Sequence, residues 1–160
     1  MRASLAIGIN ASGQVVGYTD TAGNTAQHAF ITGANGVGMK DLGTLSGSFI
    51  NSQANGINAS GQVVGDSWSG SVQHAFITGA NGVGMTDLNS YASLAGGAYF
   101  TLASGINDSG QIIAQASNSF AYLLTPSVAA IPEPGELGLM MSGFGLTMTL
   151  ARRRQQRRIG

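Results

Sequence analysis

Two histidines, His28 and His74, are the only side chains of this 160-residue chain whose ordinary pKa lies near neutral pH. Both sit in the stretch Gln-His-Ala-Phe-Ile-Thr-Gly-Ala-Asn-Gly-Val-Gly-Met, which occurs at residues 27–39 and again, unchanged, at 73–85. A histidine that returns at the same place invites a metal or acid–base role. A third, drifted context argues otherwise: in Ser119-Phe120-Ala121-Tyr122-Leu123 the histidine is replaced by Phe120. A position that accepts phenylalanine is a packing position, so both histidines are read as structural. The carboxylates are sparse too. Before Glu133 there are only Asp20, Asp41, Asp66, Asp87 and Asp108, and none stands in an Asp-x-Asp-x-Asp-Gly calcium loop. No serine lies in Gly-x-Ser-x-Gly, and there is no phosphate loop or dinucleotide fingerprint. The expectation is therefore no catalytic residue, no metal ligand and no cofactor.

One side chain remains that could recognise a ligand. Trp68 is the sole tryptophan, and it falls in a variable stretch, 66–72, that corresponds to a stretch longer by two residues at 18–26. Length variation at one point of each repeat maps to one face of a stack, often the binding face. An exposed Trp68 could stack on a sugar ring, with Tyr91 and Tyr99 as further loop aromatics. Equally, Trp68 could be a packing residue at a loop edge.

The elements that must position these residues come from a decapeptide. Gly-Ile-Asn-Ala-Ser-Gly-Gln-Val-Val-Gly stands at 8–17 and returns letter for letter at 56–65; a drifted copy, Gly-Ile-Asn-Asp-Ser-Gly-Gln-Ile-Ile-Ala, runs over 105–114. The copies start 48 and 49 residues apart. Asn, Ser and Gly make the turn, and the flanking residues make two short strands. Val15 and Val16 are adjacent and so point to opposite faces, as do Phe30 and Ile31. A strand apolar on both faces belongs between two layers. Residues 34–38 form a second turn, and 39–45 a fourth strand. The predicted fold class is all-β: antiparallel repeats of about 48 residues, as propeller-like blades or stacked sheets, with a hydrophobic helix at the C-terminus. The repeat domain spans 1–126, with units at about 1–49, 50–98 and 99–126. The third unit is expected to lack its fourth strand.

Composition agrees. Gly numbers 25 and only 9% of residues are charged, yet 43% are hydrophobic, which suits a turn-rich β protein rather than a disordered one. There is no cysteine, so disulfides are not used. The zero net charge is split: the body before Pro132 carries −3 and the remainder +3. With no basic patch on the body, nucleic acid is not an expected partner.

The positive end is a separate segment. A linker, 127–136, contains Pro132-Glu133-Pro134, whose prolines forbid helix interior. Residues 137–151 hold no charge and carry Leu137, Leu139, Met140, Met141, Phe144, Leu146, Met148 and Leu150, which go all round a helix. Fifteen residues rise about 22 Å as a helix against a hydrocarbon core of roughly 30 Å, a gap that arginine snorkelling can narrow. Arg152, Arg153, Arg154, Arg157 and Arg158 then form the cytoplasmic anchor of a predicted transmembrane segment. The Met1-Arg2 start runs straight into the first repeat and offers no usable signal peptide, so a leader and further repeats are expected upstream.

The order Pro-Glu-Pro, apolar stretch, arginine cluster resembles the PEP-CTERM protein-sorting tail of Gram-negative bacteria. The repeats, with Gly-Ile-Asn…Gly-Gln-Val-Val-Gly, His-Ala-Phe and Asp-Leu-Gly-Thr-Leu, resemble the HAF family of extracellular repeats. Together the two resemblances span nearly the whole chain. They imply export, tail recognition by an exosortase-type peptidase in the inner membrane, and release near Pro132-Glu133-Pro134. The protein would pass from the cell envelope to the surface or medium, in the company of exopolysaccharide and biofilm matrix. The leading expectation is a non-enzymatic surface or matrix protein. A carbohydrate-binding β-repeat module is the second, and a propeller-type hydrolase or lyase the third.

Overall fold

The computed structural model describes residues 3–23, 25–127 and 147–152. These form twelve strands in three antiparallel four-stranded sheets, and no sheet closes into a barrel. The first sheet is a meander of β1 (Ser4–Ile9), β2 (Val15–Asp20), β3 (Gln27–Ile31) and β4 (Lys40–Gly43). The second repeats it with β5 (Asn51–Ile57), β6 (Val63–Ser69), β7 (Val72–Thr78) and β8 (Met85–Asp87). The third has β9 (Phe100–Ile106), β10 (Ile112–Ala116), β11 (Ala121–Ser127) and β12 (Thr147–Arg152). Among the described residues the helical elements are short 3-10 turns, and no helix is long and apolar enough to cross a membrane.

The sheets stack because the strands are apolar on both faces. In β6, Val63 and Val64 are both fully buried. Val63 packs with Phe76 into the layer shared with the first sheet, where it meets Val16, Ala29 and Ile31. Val64 packs with Ala75 and Ile77 into the layer shared with the third, where it meets Phe100, Ala103 and Ile112. The first strand of each later sheet forms the seam: β5 lies against β1, β2 and β3, and β9 lies against β5, β6 and β7.

Each decapeptide turn is closed by its asparagine. Asn10 Oδ1 accepts from the N–H groups of Ser12 and Gln14, both at 3.1 Å. The next glycine, Gly13, has φ of 72°, a conformation that glycine adopts without a Cβ penalty. The amide of the same asparagine reaches across the seam. Asn10 Nδ2 donates to the Asn58 carbonyl at 3.0 Å, and Asn58 Nδ2 to the Asn107 carbonyl at 3.3 Å. A ladder of one side-chain type therefore ties turn to turn. A second seam bond comes from Ser52, whose buried Oγ accepts from Ala29 N–H at 2.8 Å and donates to the Gly43 carbonyl.

Three features differ from the sequence expectation. Trp68 is not in a loop: β6 continues through Ser69, and the connection to β7 is the two residues Gly70 and Ser71. Gly70 has φ of 58°, as a primed hairpin turn needs, and that tight turn keeps residues 66–69 in register with Val72 to Ala75. The third unit supplies only three strands, yet its sheet has a fourth: β12, from the C-terminal segment, pairs antiparallel with β11 from Tyr122↔Arg152 to Ser127↔Thr147. Lastly, the helix expected over 137–151 is a strand in its last five positions, with Met148 and Leu150 in β12. Residues 137–146 lie outside the described residues. Thr-Met-Thr-Leu alternates polar and apolar and is rich in β-branched threonine, which suits pairing along the open edge of β11.

The ladder ranks its own members. Asn58 is 3% exposed and uses its side chain for both turn closure and the seam. Asn58→Ala is expected to lower unfolding free energy in urea by about 2 kcal/mol or more, because buried partners lose their bonds. Asn107→Ala, at an exposed turn with only local bonds, should cost clearly less. Equal losses would mean that the seam bond contributes nothing.

Candidate functional site

The repeated histidines are each fixed by an aspartate from the fourth strand of the same sheet. His28 Nδ1 lies 2.9 Å from Asp41 Oδ2, and His74 Nδ1 lies 2.6 Å from Asp87 Oδ2. The His74 ring is also held between Phe49 and Tyr99, with centroids 5.1 and 5.2 Å away. Asp87 Oδ1 in turn accepts from the Asn89 backbone and side-chain amides, both at 2.8 Å. This is the bonding of a packed imidazole at the edge of a seam. Among the described residues no group of three or more His, Cys, Asp or Glu converges, so the structure offers no metal cluster there.

A cleft of about 570 Å³ opens at the hairpin end of the second sheet, remote from the asparagine turns. Asp66, Trp68, Gln53 and Gln73 line it, with Ser71 on the turn and Leu102 from β9 of the third sheet. Strand register gathers them. Asp66 stands opposite Gln53 of β5, and Trp68 opposite Gln73 of β7. Residues two apart on β6 share a face, so the carboxylate and the indole look the same way.

Asp66 is 5% exposed. Its Oδ1 accepts from Asn55 Nδ2 at 3.0 Å, and its Oδ2 from Gln73 Nε2 at 2.8 Å. Both donors are neutral amides. Burial pushes the Asp66 carboxyl above the ordinary carboxylate value of 3.8, and the two hydrogen bonds offset only part of that rise. Asn55 also donates to the Ala103 carbonyl at 3.1 Å, so the acid is coupled to the seam with the third sheet. A half-buried indole, a carboxylate and two primary amides around one opening can stack on a flat apolar ring face and exchange hydrogen bonds with hydroxyls.

A second cleft, about 530 Å³, lies between the first two sheets beside Ser12, Gln14, Lys40 and Asn81. Its polar groups are already engaged across the seam: Gln14 Nε2 bonds Asn81 Oδ1 at 3.2 Å and Lys40 Nζ bonds the Gly82 carbonyl at 3.0 Å. It is a joint between sheets rather than an open site.

Of the residues singled out by sequence, only Trp68 lies in the cleft. Tyr99 packs at a tilt against His74 and Tyr91 packs against the layer between the second and third sheets, so the three aromatics do not form one platform. Pro132, Glu133, Pro134, Leu137, Leu139, Met140, Met141, Phe144 and Leu146 lie outside the described residues, as do Arg153, Arg154, Arg157 and Arg158; Arg152 is the last residue of β12. Sequence reasoning missed Asp66, Gln53 and Gln73 as Trp68's companions. The signal was available only through register, since Gln53 and Gln73 lie on different strands from Trp68. No family model, no curated protein and no solved structure matches the chain.

The raised pKa of Asp66 sets a sign for pH dependence. Below the ordinary carboxylate range both folded and unfolded states are protonated, and Asp66 contributes nothing. As pH rises past that range the unfolded chain ionises first, so folding loses stability until the folded carboxyl has also ionised, and the loss is then constant. The stability difference between wild type and Asp66→Asn should therefore move against wild type as pH is raised from about 3 to neutrality. Chemical unfolding of both proteins along one pH series checks it, and a difference that is flat or of opposite sign refutes it.

Proposed function

We propose that this chain is a non-enzymatic, exported surface or matrix protein, with a repeat body that serves as a β scaffold and a C-terminal segment that serves as a sorting address. The body supports this by its build: the apolar faces between its sheets are used for stacking, and its two histidines and Asp41, Asp87 and Asp108 are hydrogen-bonded within the stack. We read the three sheets as propeller-like blades, each a four-stranded meander joined to the next by its first strand. The address is supported by Pro132-Glu133-Pro134, the uncharged stretch after it and the terminal arginines. An exosortase-type peptidase in the inner membrane is the implied partner, and the released body would lie outside the cell.

A carbohydrate ligand is the second part of the reading. The observation that carries it is the cleft in which Trp68 meets Asp66, Gln53 and Gln73. An extended polysaccharide chain fits better than a small metabolite, because the opening lies at a sheet edge rather than in an enclosed cavity. A hydrolase or lyase on this body has no support from the cleft, which holds one carboxylate where glycoside hydrolysis ordinarily takes a pair.

Two measurements test the two parts separately. Intact masses of the protein from the host's medium should end near residues 132–134; a medium form that keeps the arginines rules out the sorting address. Trp68 is the only tryptophan, so its fluorescence reports directly on the cleft. Host exopolysaccharide should shift that emission, and Trp68→Ala should weaken retention on the immobilised polymer about 30-fold, as for a central aromatic anchor. Retention that is unchanged by Trp68→Ala removes the carbohydrate reading and leaves the sorting address standing.

A further inference from the structure

The two ends of the stack are complementary, and the interface that would join them is already built twice inside the chain. Equivalent residues make this visible. Ala54 of β5 and Ala103 of β9 are fully buried against the sheet before them, whereas their counterpart Ala6 of β1 is exposed. Ser52 is fully buried and bonds across the seam, whereas Ser4 is exposed. At the other end, Val16 and Val64 are fully buried under the following sheet, and their counterpart Ile113 is 53% exposed. Ile31 and Ile77 are 2% and 8% exposed, and their counterpart Leu123 is 37% exposed. Among the described residues, then, the first sheet presents a head and the third a tail face that no other sheet covers.

The seat on that face is shaped for a strand. Where sheets meet, the following strand passes directly over a glycine: a Cβ built on Gly8 would lie 3.7 Å from Ile57, and one on Gly56 would lie 3.0 Å from the Gly105 Cα. At Gly105 the only such neighbour among the described residues is Ile113 of the same sheet, and a shallow hollow of about 280 Å³ lies there, lined by Gly105, Ile106, Asn107, Ile113 and Leu123. The asparagine ladder has an open rung at the same place. Asn10 and Asn58 each donate to a carbonyl in the following sheet, while among the described residues Asn107 Nδ2 bonds Gln111 Oε1 of its own turn alone, at 2.8 Å.

We propose that a second copy of this chain docks head to tail, with β1 of one copy seated on the third sheet of the other. Ala6 takes the place that Ala54 and Ala103 occupy within the chain, Gly105 receives the incoming strand, and Asn107 Nδ2 donates to the Asn10 carbonyl of the second copy. Such a heterologous contact closes into a ring or runs on as a filament, according to the rotation at each joint. Two copies supply six four-stranded sheets, a number within the range of closed propellers. The contact itself does not rest on the blade reading, whereas closure as a pair does.

The test uses the full chain and two substitutions at exposed positions, Ala6→Arg at the head and Ile113→Arg at the tail face, each checked for unchanged β content and a cooperative unfolding transition. Sedimentation of the wild type is expected to give twice the 16.2 kDa chain mass. Each variant alone should associate at least about 100-fold more weakly, since either places an unpaired charge in an apolar seam. Mixing the two variants should restore a dimer, because one intact head then meets one intact tail. Longer wild-type polymers that show the same complementation uphold the contact and refute the paired six-sheet ring. A wild type that stays monomeric, or an association that survives both substitutions, as one driven by the C-terminal segment would, overturns the proposal.

Discussion

A sheet that is apolar on both faces cannot stand alone in water, and this constraint organises the molecule. In the second sheet, Val63 and Val64 are neighbours in sequence and face opposite ways, and both are fully buried. Phe76 and Ile77 do the same one strand over. Burying such side chains is worth about 1.5–3 kcal/mol each, a gain available only when a sheet lies on either side. One repeat by itself would leave half of this surface wet. The repeat is therefore a unit of sequence but not a unit of stability; stability resides in the two layers between sheets.

Apolar layers fix that sheets stack, but not how they line up, because the hydrophobic term has no direction. Alignment comes from polar groups that sit in the seam. The Asn10 and Asn58 amides each reach one following carbonyl, at a sequence distance of 48 or 49 residues. Ser52 occupies the register irregularity between Ala29 and Phe30, where it bonds Ala29 N–H. These bonds are met in one relative placement of the sheets and lost in others, and unmet buried amides are costly. The seam therefore combines a strong, non-directional attraction with weaker bonds that choose a single register.

Much of this was legible in the sequence. The near-exact decapeptides gave the turns and the adjacent valines gave the two-sided burial, whereas phenylalanine at the third histidine position did not foretell burial there, since Phe120 is exposed. What stayed hidden has physical causes. Trp68 looked like a loop residue because Asp66, Ser67 and Ser69 around it are weak strand formers, and the two-residue turn at Gly70-Ser71 was masked by the longer connection in the first unit. β12 was hidden because an apolar run is ambiguous between helix and strand, and pairing with the open β11 edge is decided by tertiary context. The site itself was only partly visible: the indole and Asp66 fall in one variable stretch, but Gln53 and Gln73 come from strands whose pairing a linear reading does not supply.

The repeats also divide the molecule into a constant part and a variable part, and the division runs along the strands. Where sheets meet at the asparagine turns, the first two units are identical, because any change there must suit two sheets at once. At the opposite, hairpin end the equivalents of Asp66 and Trp68 are Tyr18 and Asp20 in the first unit and Gln115 and Ser117 in the third. That end lies outside the asparagine ladder: its residues line clefts and connections, and Asp66 touches the seam through Asn55. A stack built this way can alter what it touches by changing hairpin ends while leaving its joints untouched. The position of Trp68 and Asp66 at one such end, on a sheet held from both sides, places an adaptable surface on the most firmly supported unit of the chain.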